Sequence, residues 1–79
     1  DVEGTILLVN PEWNFVVIDR GSVDELRENV ILLVHRGLEP IGKVRISRVE
    51  ENISVAEILT AWENTDPVAG DGVITPKSS

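Results

Sequence analysis

Apolar residues recur along the chain in short runs, several with a period of two, separated by residues that favour turns. The first two runs, residues 5–9 (TILLV) and 15–18 (FVVI), are rich in β-branched side chains. Branching at Cβ stiffens χ1 in a way that suits a pleated, half-buried surface. Between the runs lie Asn10, Pro11, Glu12, Trp13 and Asn14. Pro11 pre-sets φ for a turn, and the two asparagines tolerate left-handed backbone or cap it with their side chains. This predicts a β-hairpin with one of the longer common loops. Both of its strands are apolar on both faces, so further chain is needed to cover it.

Residues 19–22 turn the chain, and residues 23–29 read as a polar excursion pinned by Val23 and Leu26. One helical turn is expected there, with Ser22 as N-cap and Glu25 three residues on. Residues 30–36 form the strongest predicted strand, with Val30, Leu32 and Val34 on one face and Ile31, Leu33 and His35 on the other. A tight turn is predicted over residues 37–40. The strand over 41–49 alternates cleanly, Gly42, Val44 and Ile46 facing one way and Lys43, Arg45 and Ser47 the other. Val49 falls out of phase, which places a bulge near Ser47 and Arg48.

Residues 53–62 are ambiguous. Ser54 to Glu57 matches a capping box, and Ile58, Leu59 and Trp62 fit a helical stripe. As a strand, Ser54, Ala56, Ile58 and Thr60 share a face. Helix propensity favours the first at Ala56 and Glu57, the all-β neighbourhood favours the second, and a strand is expected. Residues 63–71 form a loop hinged at Pro67 and Gly70, and residues 73–75 close the fold. Five or six short strands with frequent turn signals, in so short a chain, predict an all-β, SH3-like barrel of antiparallel strands. Its expected core is Ile6, Leu8, Val17, Leu32, Val34, Val44, Ile46 and Ile58.

The 79 residues are expected to make one domain, residues 1–79, with 42% hydrophobic content arguing against disorder. There is no cysteine, hence no disulfide or thiolate metal site. The longest apolar run, residues 30–34, is far too short to span a bilayer. The absence of methionine, at position 1 as elsewhere, suggests a piece of a longer protein. A net charge of −7 opposes binding to nucleic acid, whose affinity comes largely from phosphate neutralisation, and to anionic membrane surfaces.

Several stretches together are similar to a known group. They are residues 4–9, 13–18 (WNFVVI), Gly21-Ser22, Val34-His35-Arg36, 41–46 (IGKVRI), Val49-Glu50, 54–58 (SVAEI) and 69–74 (AGDGVI). The chain resembles small SH3-like barrels at the C-terminal ends of bacterial envelope proteins, notably verrucomicrobial and planctomycetal coiled-coil proteins. It is more distantly similar to the C-terminal barrel of the flagellar assembly protein T. The resemblance implies an envelope, periplasmic or extracellular setting and an upstream coiled coil, and it carries no catalytic motif. The chain departs from the pattern where glycines of the group are replaced by Glu25 and Asn29. Asparagine takes positive φ readily and glutamate does not, so that loop is expected to be reshaped.

The candidate chemistry is sparse. His35 is the one histidine and has no second ligand nearby in sequence, so a metal site is not expected. Ser22, Ser47 and Ser54 lack any nucleophile-elbow context. The acids Glu63, Asp66 and Asp71 match no calcium loop, and Asp71 before Gly72 reads as a turn. Arg36, Lys43, Arg45 and Arg48 form a basic stripe, either for an acidic partner or for cross-strand pairing with Glu39, Glu50, Glu51 or Glu57. The latter is preferred. Trp13 and Trp62 are candidate contact residues, with plugging of the barrel ends the favoured role for both.

An apolar patch of Leu7, Val9, Ile31 and Leu33 is expected to be left over once one face of each strand is buried. Leu26, Leu38 and Trp62 are its alternative covers. The binding candidates are thus Trp13, Arg36, Lys43, Arg45, Leu7, Val9, Ile31 and Leu33, with no catalytic residue and no cofactor. The function expected is a non-catalytic protein-interaction or structural module engaging a protein partner or a second copy. A cell-wall or glycan-binding barrel using Trp13 is the alternative.

Overall fold

A computed structural model describes residues 2–59 and 66–76. Six strands appear: β1 (Glu3–Asn10), β2 (Phe15–Ile18), β3 (Ile31–Arg36), β4 (Glu39–Val49), β5 (Ser54–Leu59) and β6 (Gly72–Ile74). They close into an antiparallel barrel in the order β1-β2-β5-β4-β3-β6, with β6 returning to β1. This is the small SH3-like barrel that the alternation and turn spacing predict. Closure removes the open sheet edges that a chain this short could not cover otherwise.

Each face follows from the pleat. In β3, Leu32 and Val34 are buried, and in β4 Val44 and Ile46 oppose them from the same interior. Ser54 and Ala56 point inward from β5 and Val73 from β6. The region left open between helix and strand is therefore a strand as far as Leu59; residues 60–65, Trp62 among them, lie outside the described residues. The predicted bulge is present, because the β4–β5 register shifts between Ile46 and Arg48. Val49 packs against the core as a result.

The expected core needs three corrections, the first being Ile58, which is only partly buried and packs against the core from its edge. Leu8 is half exposed and Val17 only partly buried, while Val16 and Ile18 are fully buried. The cause is a second bulge. Ile6 pairs with Ile18 and Leu8 with Val17, so Leu7 is an extra residue that turns Leu8 outward and returns Val9 toward the interior. Leu26, Ile41, Ala56 and Val73 complete the interior.

The loop between β2 and β3 also differs from expectation. It holds one 3-10 turn, Ser22–Asp24, whose N-cap is Gly21 rather than Ser22. The Asp24 carboxylate accepts the Gly21 N–H at 3.1 Å, so Asp24 takes the part assigned to Glu25. Leu26 is buried and closes this end of the barrel, whereas Val23 is exposed and pins nothing. In this loop Glu25 adopts φ 68° and Asn29 φ 72°, both left-handed. A left-handed non-glycine residue costs about 1–2 kcal/mol, and glycine gives part of that back through its larger unfolded-state entropy. Glu25→Gly is therefore expected to stabilise the chain by about 0.5–1 kcal/mol, read as a higher urea midpoint. A lower midpoint would show that the glutamate side chain itself stabilises the loop.

The predicted turn at 37–40 is shorter than expected, since β4 already begins at Glu39 and pairs it with Arg36.

Candidate interaction site

An antiparallel barrel with this strand order brings the β1–β2, β3–β4 and β5–β6 connections to one end. The first is fixed by its asparagines. Asn10 Oδ1 accepts the Trp13 N–H at 3.0 Å, and Asn14 takes the left-handed conformation at φ 60°. Asn14 then bonds to β5 in both directions: its Nδ2 donates to the Ile58 carbonyl at 2.9 Å, and its own carbonyl accepts the Ile58 N–H at 3.0 Å.

The third connection is fixed by a carboxylate. Asp71 is only 3% exposed. Its Oδ1 accepts the Arg36 Nε–H at 2.9 Å, and its Oδ2 accepts Arg36 Nη2 at 3.0 Å and the Val68 N–H at 2.8 Å. The Arg36 hydrogen bonds hold its carboxyl below the usual aspartate range, against the upward push of burial, with the Val68 N–H assisting. Gly70 N–H to the Ile6 carbonyl and Ile6 N–H to the Asp71 carbonyl, each 2.8 Å, seat the loop on β1. Reading Asp71 as a simple turn residue thus missed its main role, and Arg36 pairs with Asp71 rather than with a cross-strand glutamate.

The first and third of these connections border an apolar cleft of about 750 Å³ whose walls include Val9, Ile41, Gly42, Ile58, Leu59 and Val68. That volume is in the range of small-ligand and peptide-side-chain sites. Gly42 adds no side chain to its wall: the residue is buried, and among the described residues a Cβ placed on it would meet nothing within 4 Å. Large apolar side chains stand in water on its two bordering loops, Trp13 at 75% exposure and Val68 at 49%, and Leu38 is fully exposed in the β3–β4 turn. Trp13 therefore does not plug the barrel end, and Leu38 covers nothing.

Of the residues singled out from sequence, Val9 and Lys43 line this cleft and Trp13 stands on the loop that borders it. Leu7 is exposed on the β1 bulge. Leu33 lies beside Lys43 on one side and Ile74 on the other, and Ile31 beside Arg45 toward the far end of β3. Val9 faces the cleft and packs against the core, and β6 lies between β1 with Leu7 and β3 with Ile31 and Leu33. Arg45 pairs with Glu57 at 2.6 Å and Arg48 with Glu50 at 2.8 Å, the cross-strand and turn pairing preferred for the basic stripe. Sequence reasoning missed Ile41, Gly42 and Val68 as cleft residues.

His35 lies over Gly72, and its Nδ1 is 3.0 Å from the Gly37 carbonyl, a packed position rather than a ligand set. Among the described residues no group of three or more His, Cys, Asp or Glu side chains is placed to hold a metal ion. Among them, too, no helix is long and apolar enough to cross a membrane. Compared with family models, curated proteins and solved structures, the chain shows no match in any of the three.

Proposed function

We propose that this barrel is a non-catalytic protein-interaction module that takes an extended segment of another protein at the end bearing the cleft. The observation that carries the reading is the coincidence of an apolar cleft with exposed apolar side chains on the two loops that line it, Trp13 on one and Val68 on the other. Apolar groups gathered around a concave site mark contact surfaces more often than scattered single residues do. A glycan reading has Trp13 in its favour, but the walls are aliphatic rather than a ladder of polar groups, so a peptide is the better occupant. The resemblance to C-terminal barrels of bacterial envelope proteins supports placing the module on a larger protein of the cell envelope.

Gly42 supplies the test. Gly42→Leu fills the cleft from its wall, where the added side chain meets no atom of the described residues at Cβ and a strand gains a better strand former. Peptides selected from a displayed library against the unmodified barrel are expected to lose at least about tenfold in affinity for the variant, with its melting temperature unchanged or higher. Selected peptides that bind the filled variant equally well would show that contact occurs elsewhere.

A further inference from the structure

Resting on the placement of this module in the cell envelope, we propose that Asn52 is an acceptor for an N-linked glycan, recognised through the hydroxyl of Ser54. Asn52-Ile53-Ser54 is the three-residue acceptor signal, an asparagine followed two positions on by serine or threonine with no proline between. Glu50 adds the acid two residues before the asparagine that bacterial transferases of this kind select. None of the other asparagines, 10, 14, 29 and 64, has a serine or threonine at that spacing.

The fold presents the signal where a glycan can be carried. Residues 50–53 join β4 to β5, all of them exposed, and the Glu50 N–H donates to the Ile53 carbonyl at 2.9 Å to close the turn. Among the described residues, Asn52 Nδ2 reaches only the Glu51 carboxylate, at 3.5 Å. β4 comes to this turn from the cleft wall and β5 returns to it, so a glycan here stands at the opposite pole and leaves the cleft free.

Ser54 is the independent observation. It is fully buried, its cross-strand neighbours are Ile18 and Val49, and among the described residues its hydroxyl has no hydrogen-bond partner. Burying an unpaired hydroxyl destabilises a fold, and alanine would fill this place without that penalty. The barrel thus gives the hydroxyl no use, whereas the acceptor signal requires it. The donor is a lipid-pyrophosphate oligosaccharide held by a membrane-bound transferase. Asn52 Nδ2 forms a bond to C1 of the first sugar as the bond from C1 to the pyrophosphate oxygen breaks. The lipid pyrophosphate leaves, and Nδ2 gives one proton to a base of the transferase. Because Ser54 is sealed inside the closed barrel, transfer precedes the insertion of β5 between β2 and β4.

The test exports the chain, behind a supplied secretion signal, into the periplasm of a bacterial host that carries such a transferase and its lipid-linked donor. Intact mass and peptide mapping are expected to show one glycan increment, on the peptide that holds Asn52. Ser54→Thr should keep it, and Asn52→Gln, Glu50→Gln and Ser54→Ala should each lose it. Asn52 and Glu50 are exposed, so the first two losses do not depend on a damaged core. The unmodified Ser54→Ala chain is expected to show a urea midpoint equal to or above that of wild type. Absence of any increment overturns the proposal, as does an increment that one of the three substitutions leaves in place. A Ser54→Ala midpoint below wild type also overturns it, since the hydroxyl would then serve the fold. Export is supplied and the readout is a mass, so failure here leaves the envelope placement and the cleft reading standing.

Discussion

Asp71→Ala is expected to lower the stability of the barrel by about 2–3 kcal/mol at neutral pH, read as a drop in urea midpoint at unchanged slope. The side chain is buried and accepts three hydrogen bonds, two from a charged donor and one from the Val68 backbone. Charge-assisted bonds are the stronger kind, and their loss also frees the β5–β6 loop from β3. Asp71→Asn separates the causes, because the amide oxygen can still accept the Val68 N–H while the ion pair is gone. The pH dependence has a definite sign. The folded chain holds this carboxyl below its unfolded value, chiefly through the Arg36 hydrogen bonds. Its contribution is therefore complete above the ordinary aspartate range and disappears as pH falls through the lower, folded value. The midpoint gap between wild type and Asp71→Asn should be wide at neutral pH and close in acid. A gap that stays constant into acid would remove the carboxylate as its source.

Gly21→Ala should cost about 3 kcal/mol or more, for a reason unrelated to left-handed backbone. Gly21 is extended, with φ −147°, and it is buried against the β4–β5 turn. A Cβ there would overlap the Glu50 carbonyl oxygen and crowd that of Glu51 at 2.7 Å. Those carbonyls accept the N–H groups of Ser22 at 2.9 Å and Val23 at 3.2 Å, so the turn cannot retreat without breaking both bonds. Buried overlap with backbone is costlier than overlap with a flexible side chain, which could swing aside. Thermal unfolding of Gly21→Ala and Gly21→Ser reads the effect, and a loss under about 1 kcal/mol would mean that the two loops separate easily.

The parts of this fold that could be read from sequence are those where polar residues mark the phase. In β4 the alternation of Val44 and Ile46 with Lys43 and Arg45 shows which face is buried, and Val49 breaking that phase exposes the bulge. In β1 the run Ile6, Leu7, Leu8, Val9 has no polar residue to mark a face, so the bulge at Leu7 is silent. The same holds for Phe15 to Ile18, where Val17 and Val16 are indistinguishable by pattern. Leu26 is a lone hydrophobe among polar neighbours, and its burial depends on the barrel end it closes. The pairing of Arg36 with Asp71 joins residues 35 apart in sequence, and only the β3–β6 register brings them together. The cleft is harder still to foresee, because strand order alone decides which loops meet around it. Trp13 was legible as a contact candidate, while its exposed setting depended on the Asn10 and Asn14 hydrogen bonds.

Val2 and Thr75 lie side by side: the Val2 N–H donates to Thr75 Oγ1 at 3.1 Å, and the Thr75 N–H donates to the Val2 carbonyl at 3.0 Å. β1 runs from there toward the cleft and β6 runs back, which puts these two residues at the pole away from the mouth. Tether and mouth therefore face in opposite directions. Cargo or scaffold joined beyond either residue leaves the cleft unobstructed, and the adjacent strand ends permit the barrel to be spliced into a host loop through two neighbouring attachment points. The same adjacency makes the chain a candidate for circular permutation, with a short bridge between residues 2 and 75 and new ends opened in the β4–β5 turn.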